Sequence, residues 1–76
     1  MEKIDKKYLA INIKVIRLSL GETMEEFGKR FVPPADKSIV SRWELGKSVP
    51  NAKRLKKIAE LGGVSIEFLL SDQRTY

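Results

Sequence analysis

Apolar residues recur along this chain at the spacing of an α-helix. From about Lys6 to Leu20, one apolar stripe runs at intervals of four, three and four residues: Leu9, Ile13, Ile16 and Leu20. A second apolar face is formed by Tyr8, Ile11, Val15 and Leu18. A helix that is apolar nearly all round is buried on more than one side. The pattern therefore predicts a first helix that is packed on two faces and stops at Gly21.

The next element follows a helix-start signal. Thr23 is followed three residues later by Glu26, the form of a capping box, so a second helix is predicted to begin at Met24. Pro33 disfavours helical dihedral angles at the residue before it, so this helix is predicted to end near Phe31. A turn at residues 32–35 follows.

Gly28 is an unusual residue for the interior of that helix, because glycine costs about 1 kcal/mol there relative to alanine. Phe27 and Phe31 lie four residues apart and are expected to face the core. A residue without a Cβ beside them is expected to allow the close approach of a neighbouring helix.

Residues 37–45 predict a third helix with two unlike faces. Asp36 is a suitable N-cap, and Gly46 suits the position just past the end. Val40 and Trp43 share one face, with Glu44 beside Trp43. The opposite face carries Lys37, Ser38, Ser41 and Arg42. This face is either an ordinary solvated surface or a surface for base pairs, since Lys and Arg donate to guanine and Ser adapts to several bases.

Two more helices are predicted after a loop at residues 47–51. Asn51 caps a helix from Ala52 to about Leu61, which Gly62 and Gly63 end, and Ser65 caps a last short helix at 66–70. No internal repeat or linker is evident.

The complete pattern predicts an all-α fold of five helices around one core. We expect residues 1–76 to form a single domain, with its core at about 6–70 and a loose C-terminal tail at 71–76. The 76 residues include no Cys and no His. These absences remove disulfides, thiolate metal sites, the commonest general base and the commonest metal ligand. We therefore expect no metal and no cofactor.

The chain is basic, since 15 Lys and Arg against 10 Asp and Glu give a net charge of +5. A basic balance favours polyanions such as nucleic acid or an anionic membrane surface. No apolar run approaches the roughly 20 residues of a membrane span. Residues 1–7 lack the apolar core and cleavage site of a signal peptide. A cytoplasmic protein without a membrane partner is expected.

Catalysis is not expected. The clustered acidic residues all lie at predicted helix starts, where capping and the helix dipole account for them: Glu22, Glu25, Glu26 and Asp36. The sequence contains no nucleophile–base pair, metal constellation or phosphate-binding glycine loop. We therefore expect that the protein is not an enzyme.

The order of these elements is similar to that of one known family. Its most specific segments are Ile-Val-Ser-Arg-Trp-Glu-Leu-Gly-Lys at 39–47 with Pro50 after it, and Leu-Gly-Gly-Val-Ser-Ile-Glu-Phe-Leu-Leu at 61–70. In this order and spacing they resemble the Cro/phage-repressor helix-turn-helix family of Xre-like regulators. The resemblance extends from about Leu9 to Leu70.

The resemblance implies a compact, lambda-repressor-like helix-turn-helix domain that binds double-stranded DNA sequence-specifically. It implies a transcriptional regulator, specifically a repressor of phage or mobile-element type that is bacterial or phage-encoded and associated with the nucleoid. Proteins of this class bind as dimers to two half-sites about one helical turn apart. A homodimer on an operator is therefore implied.

The resemblance also implies residue roles. The helix at 24–31 would lie across the DNA backbone, and the helix at 37–45 would enter the major groove. Base contacts are implied for Lys37, Ser38, Ile39, Ser41 and Arg42. Phosphate contacts are implied for Thr23, Met24, Lys47, Ser48 and Asn51. Arg17 and Glu44 match an ion pair that ties the first helix to the third.

The chain departs from the family pattern in three places. Met24 replaces a glutamine that usually holds a phosphate, which leaves the N–H groups of the helix start to bind an anion. Glu22 stands where an apolar residue is usual. The turn before the third helix is longer than the usual three or four residues and contains Pro33 and Pro34, which affects the entry angle of that helix.

A protein-interaction module on the same fold, such as an antitoxin or an anti-repressor, is the alternative function, because a fold does not fix a function. Such a partner is expected at the first helix or the C-terminal helix. Dimer contact is expected at the last helix and the tail, with the spare face of Ile11, Val15 and Leu18 as the second candidate. Packing of that face against the last helix within one molecule is the competing expectation.

Overall fold

The described part of the chain folds into five α-helices, as the sequence pattern predicts. The computed structural model describes residues 6–72. Its helices are α1 (Lys6–Ser19), α2 (Met24–Gly28), α3 (Lys37–Glu44), α4 (Ala52–Gly62) and α5 (Ile66–Leu69). The described residues contain no strand, which confirms the all-α class. No helix among them has the length and apolar character needed to cross a membrane. The predicted tail lies mostly at 73–76, outside the described residues, as do residues 1–5.

Each helix after α1 starts where a capping side chain accepts a backbone N–H from its first turn. The caps are Thr23, Asp36, Asn51 and Ser65. At Thr23 the full capping box is present, because the Glu26 carboxylate also accepts the Thr23 N–H at 2.9 Å. These local bonds explain why the four starts agree with the sequence prediction.

The end of α2 differs from its prediction. The helix stops at Gly28 and not near Phe31. Beyond it the chain forms tighter turns, in which the Arg30 N–H donates to the Phe27 carbonyl at 3.1 Å and the Phe31 N–H to the Gly28 carbonyl at 3.3 Å. Another α-helical turn would need N–H donors at positions 33 and 34, and both are proline. The missing N–H donors therefore end the helix earlier than the restriction on the dihedral angles of Val32 would by itself.

The hydrophobic core draws buried side chains from all five helices and from the turn between α2 and α3. Its largest fully buried side chains are Phe27, Leu9, Ile13, Ile58, Leu69 and Val40. Phe31 joins Phe27 to Trp43 through two edge-to-face ring contacts, with centroids 5.5 Å and 5.4 Å apart. Three of the four predicted stripe residues of α1 are buried, and Leu20 packs at the edge of the core.

The second apolar face of α1 is not buried, so the prediction of packing on two sides is wrong. Ile11, Val15 and Leu18 are 40%, 57% and 56% exposed. The reason is that α5 has four residues and cannot cover the length of α1. The side chain of Asn12 ties it to α1, because Asn12 Nδ2 donates to the carbonyls of Leu69 at 2.8 Å and Ser71 at 3.0 Å.

Gly28 does permit a close approach, chiefly of the turn before α3 and also of α3 itself. A Cβ on Gly28 would stand 1.8 Å from the carbonyl oxygen of Ala35. The Ala35 N–H in turn donates to the Gly28 carbonyl at 3.0 Å. The turn before α3 therefore occupies most of the space that a side chain would need, and Val40 of the neighbouring α3 lies 3.4 Å from the same Cβ position.

Candidate nucleic-acid interface

A buried ion pair fixes α3 against α1. Arg17 Nε lies 2.6 Å from Glu44 Oε2, and Arg17 Nη2 donates to Glu44 Oε1 at 3.0 Å. The two side chains are 9% and 3% exposed. Arg17 Nη1 also donates to the Glu22 carbonyl at 2.7 Å, and the hydrogen bond to Glu44 raises the pKa of Arg17. With three of its nitrogens bound inside the protein, Arg17 serves to set the orientation of α3 and has little left to offer an outside ligand.

The same orientation turns the opposite face of α3 to solvent. Val40 and Trp43 are buried, whereas Lys37, Ser38 and Arg42 are exposed and Ser41 is half-exposed. Ile39 is half-buried and packs against the edge of the core, so part of its side chain remains accessible. Four polar side chains and the free edge of one aliphatic side chain thus form one accessible surface on a rigid helix.

The N-terminus of α3 contains a hydrogen bond that sequence reasoning missed. Asp36 Oδ1 accepts the backbone N–H groups of Ser38 at 2.9 Å and Ile39 at 3.2 Å, and it also accepts the Ser38 hydroxyl at 2.5 Å. The Ser38 side-chain bond is the main cause that lowers the pKa of Asp36, and the Ile39 backbone bond adds to it. The sequence signal was present, since a serine two residues after an aspartate N-cap can bond to it.

At the start of α2, the side chains differ in what they can offer a phosphate. Thr23 is exposed, although its hydroxyl oxygen accepts the Glu26 N–H at 3.1 Å. The Met24 side chain is half-buried and packs against the core. A phosphate contact at Met24 would therefore have to use its backbone N–H.

The loop after α3 holds the remaining predicted phosphate contacts. Lys47 and Asn51 are exposed and Ser48 is half-exposed. Asn51 Oδ1 accepts the Arg54 N–H at 2.9 Å, so the oxygen of this amide is used as a helix cap and its NH₂ group is the part that could donate to a phosphate. The Lys47 N–H donates to the Arg42 carbonyl at 2.9 Å, which ties the start of the loop to the last turn of α3.

Arg54 is a structural residue that the sequence did not reveal. Its Nη2 donates to the Pro33 carbonyl at 3.0 Å, and its guanidinium lies 5.9 Å from the centroid of the Trp43 ring. These contacts hold the long turn against α4 and α3. Because Pro33 and Arg54 are 21 residues apart, no local pattern could indicate the contact.

Glu22 is explained by a second ion pair. Arg30 donates to both of its carboxylate oxygens, with Nη2 at 2.6 Å from Oε2 and Nε at 2.9 Å from Oε1. This bidentate bond lowers the pKa of Glu22. An acidic residue can therefore replace the usual apolar one, because Arg30, in the turn after α2, neutralises its charge.

Across residues 6–72, no cluster of three or more acidic, Cys or His side chains is arranged to hold a metal ion. The accessible groups of α3 and its flanks are hydrogen-bond donors, acceptors and fixed cations. Their chemistry is that of recognition by hydrogen bonds and charge.

A comparison with protein families places much of the chain in a known family. A family model described as helix-turn-helix matches residues 13–69, from the middle of α1 to the end of α5. The match therefore includes the whole of α2, the long turn and α3. No curated protein and no solved structure matches the chain significantly.

Proposed function

This chain belongs to the helix-turn-helix family of Xre-like, Cro/phage-repressor type and is a DNA-binding regulator, and from that premise we propose that it is a sequence-specific repressor of transcription. We place it in phages or other mobile elements of bacteria, acting in the cytoplasm at nucleoid-associated operator DNA. The observation that carries the proposal is that α3 buries one face and exposes the opposite one. Val40 is 0% and Trp43 is 3% exposed, while the opposite face presents Lys37, Ser38 and Arg42 to solvent.

In the proposed complex, α3 enters the major groove and its exposed face contacts base edges. The proposed base contacts are Lys37, Ser38, Ile39, Ser41 and Arg42. Arg42 is the strongest of them, because an Arg can bond O6 and N7 of guanine together. Ile39 offers the edge of its side chain to a thymine methyl group.

Phosphate contacts on both sides of α3 would fix its register without contributing sequence preference. We assign them to Thr23, Met24, Lys47, Ser48 and Asn51. Met24 contributes through its backbone N–H, since its side chain packs inward. Asn51 contributes through its NH₂ group, since its oxygen caps α4.

Binding to two half-sites requires a homodimer, and an apolar groove beside α5 supports one. The groove lies between α1 and the end of α5 and is lined mainly by Tyr8, Ile11, Val15 and Phe68. Phe68 is 41% exposed. We propose that this groove and α5 form the contact between two copies.

The same groove favours the alternative function, a protein-interaction module such as an antitoxin or an anti-repressor. Its partner would dock on α1 and α5. In that case the α3 face would be an ordinary solvated surface.

Selection of bound duplexes from a random pool at physiological salt, followed by salt titration on the best duplex, separates the two functions. For a repressor we expect one enriched motif, and the logarithm of affinity should fall with the logarithm of salt at a slope of about −0.9 per phosphate contacted. A pool that stays random, together with no retained duplex at low salt, would overturn the DNA-binding proposal.

A further inference from the structure

Resting on the proposed function, we propose that Ser38 acts as a hydrogen-bond acceptor toward DNA, fixed in that state by Asp36, and so selects a base with a major-groove amino group. Those bases are cytosine, through N4, and adenine, through N6. Asp36 is then a positioning residue for specificity as well as the cap of α3. This role is additional to the contact between α3 and the groove.

The argument begins with the hydroxyl proton of Ser38. The Ser38 Oγ lies 2.5 Å from Asp36 Oδ1, which is the distance of a charge-assisted hydrogen bond. Asp36 is ionised at neutral pH, since the hydrogen bonds it accepts lower its pKa. The proton between the two oxygens therefore comes from Ser38. A hydroxyl whose single proton is committed retains only lone pairs for another partner.

The second step concerns what those lone pairs can meet. Guanine and thymine present only acceptors at the relevant major-groove positions, O6 and O4, whereas cytosine and adenine present amino donors. An acceptor on Ser38 opposite O6 or O4 would leave both groups without a proton to share. The carboxylate of Asp36 next to it adds negative charge, which also disfavours a phosphate at this position.

The third step places this acceptor relative to Arg42. Arg42 follows Ser38 by four positions, a distance of about 6 Å along a helix axis. Successive base pairs are about 3.4 Å apart, so the two side chains reach positions roughly two base pairs apart. The outward face of α3 therefore carries an acceptor at Ser38 and a donor at Arg42, one helical turn apart. The expected half-site has a cytosine or adenine opposite Ser38 and a guanine opposite Arg42.

The test is duplex selection from a random pool with the full chain and five variants. Wild type should enrich cytosine or adenine at one half-site position, and replacing that base by guanine or thymine should weaken binding about tenfold. Ser38→Ala should lose the preference at that position alone, whereas Ser38→Thr, which keeps a hydroxyl, should retain it. Arg42→Ala should change a different position.

Asp36 is tested by two variants that both keep an acceptable helix N-cap. Asp36→Gly removes the acceptor, so the freed hydroxyl of Ser38 can donate, and guanine and thymine should become tolerated at the same position. Asp36→Asn keeps an acceptor oxygen and should retain the preference while total affinity rises. Melting curves of all variants control for folding. A variant that lost its fold would not show a base-specific change at one position alone.

The outcomes separate this inference from the function on which it rests. Enrichment of guanine or thymine at the Ser38-dependent position, no Ser38-dependent position, or an unchanged preference in Asp36→Gly would overturn the acceptor role. In each of those cases a motif that changes with Arg42→Ala still supports a DNA-binding repressor. Failure of every duplex to bind at low salt would overturn both.

Discussion

Arg17 and Glu44 are charged side chains that lie almost wholly out of solvent and bond to each other through two pairs of atoms. Removing one partner leaves the other charge buried without compensation. We expect Arg17→Met to lower the free energy of unfolding by about 3–5 kcal/mol, measured by urea denaturation. Addition of Glu44→Leu should recover part of that loss. Lys14→Ala, at an exposed position of α1, is the control. An equally small loss of stability in Arg17→Met and Lys14→Ala would contradict the prediction.

Arg42 and Lys47 are both exposed cations near one end of α3, yet we expect their loss to act differently on DNA binding. Arg42→Ala should reduce preference at one operator position, with a cost of about 1–3 kcal/mol against the preferred base. Lys47→Ala should weaken all sequences alike and reduce the salt slope by about one phosphate contact. Competition assays with single-base variants of the selected duplex measure both effects. Equal losses that ignore sequence would contradict the assignment.

At the scale of helices, the cap of α3 makes part of the stability depend on pH. The folded-state pKa of Asp36 lies below its ordinary value, chiefly because of the Ser38 hydroxyl. The stabilisation is therefore complete above the pKa of an unfolded aspartate, about 3.9, and is lost as pH falls through the lower folded value. We expect the stability difference between wild type and Asp36→Asn, measured by urea midpoints, to change only in this acid range. Glu22 titrates in both proteins and cancels from the difference. A difference that stays constant to the lowest pH at which both fold would contradict the prediction.

Helix starts could be predicted from the sequence, whereas one helix end was misplaced and one contact could not be predicted. Each start depends on a hydrogen bond between a capping side chain and a backbone N–H two or three residues away. Residues such as Thr23 and Asn51 therefore indicate a helix start in the local sequence. The end of α2 depends on the N–H donors that Pro33 and Pro34 lack, which the sequence does show. The path of the turn depends instead on Arg54, a residue of another helix. The turn geometry is therefore a tertiary property that no local pattern contains.

At the scale of the whole molecule, α1 has one buried face and one accessible face. The sequence predicted both faces as apolar and α5 as short, but it could not show how much of α1 the packed α5 covers. Val15 and Leu18 thus remain more than half exposed. Apolar side chains that cluster on a surface indicate a contact with another molecule.

We expect Val15→Glu to weaken self-association and the cooperative occupation of two half-sites, because it places a charge in the apolar groove beside Phe68. Stability of the monomer should change little, since Val15 is 57% exposed. Analytical ultracentrifugation and gel shifts on one and two half-sites measure these effects. Lys14→Glu, one residue away but outside the groove lining, is the matched control. A dimer that persists in Val15→Glu and dissociates in Lys14→Glu would place the contact elsewhere.

The anchoring of the long turn by Arg54 also limits how this DNA-binding unit can be transplanted. A chimera that receives only residues 24–45 would lose the guanidinium that bonds the Pro33 carbonyl and lies over Trp43. Its transplanted helix pair would be free to adopt another mutual angle. An exchange of specificity between relatives must therefore carry the first turn of α4 along with the two helices, and swapping the shorter segment should transfer the side chains without their alignment.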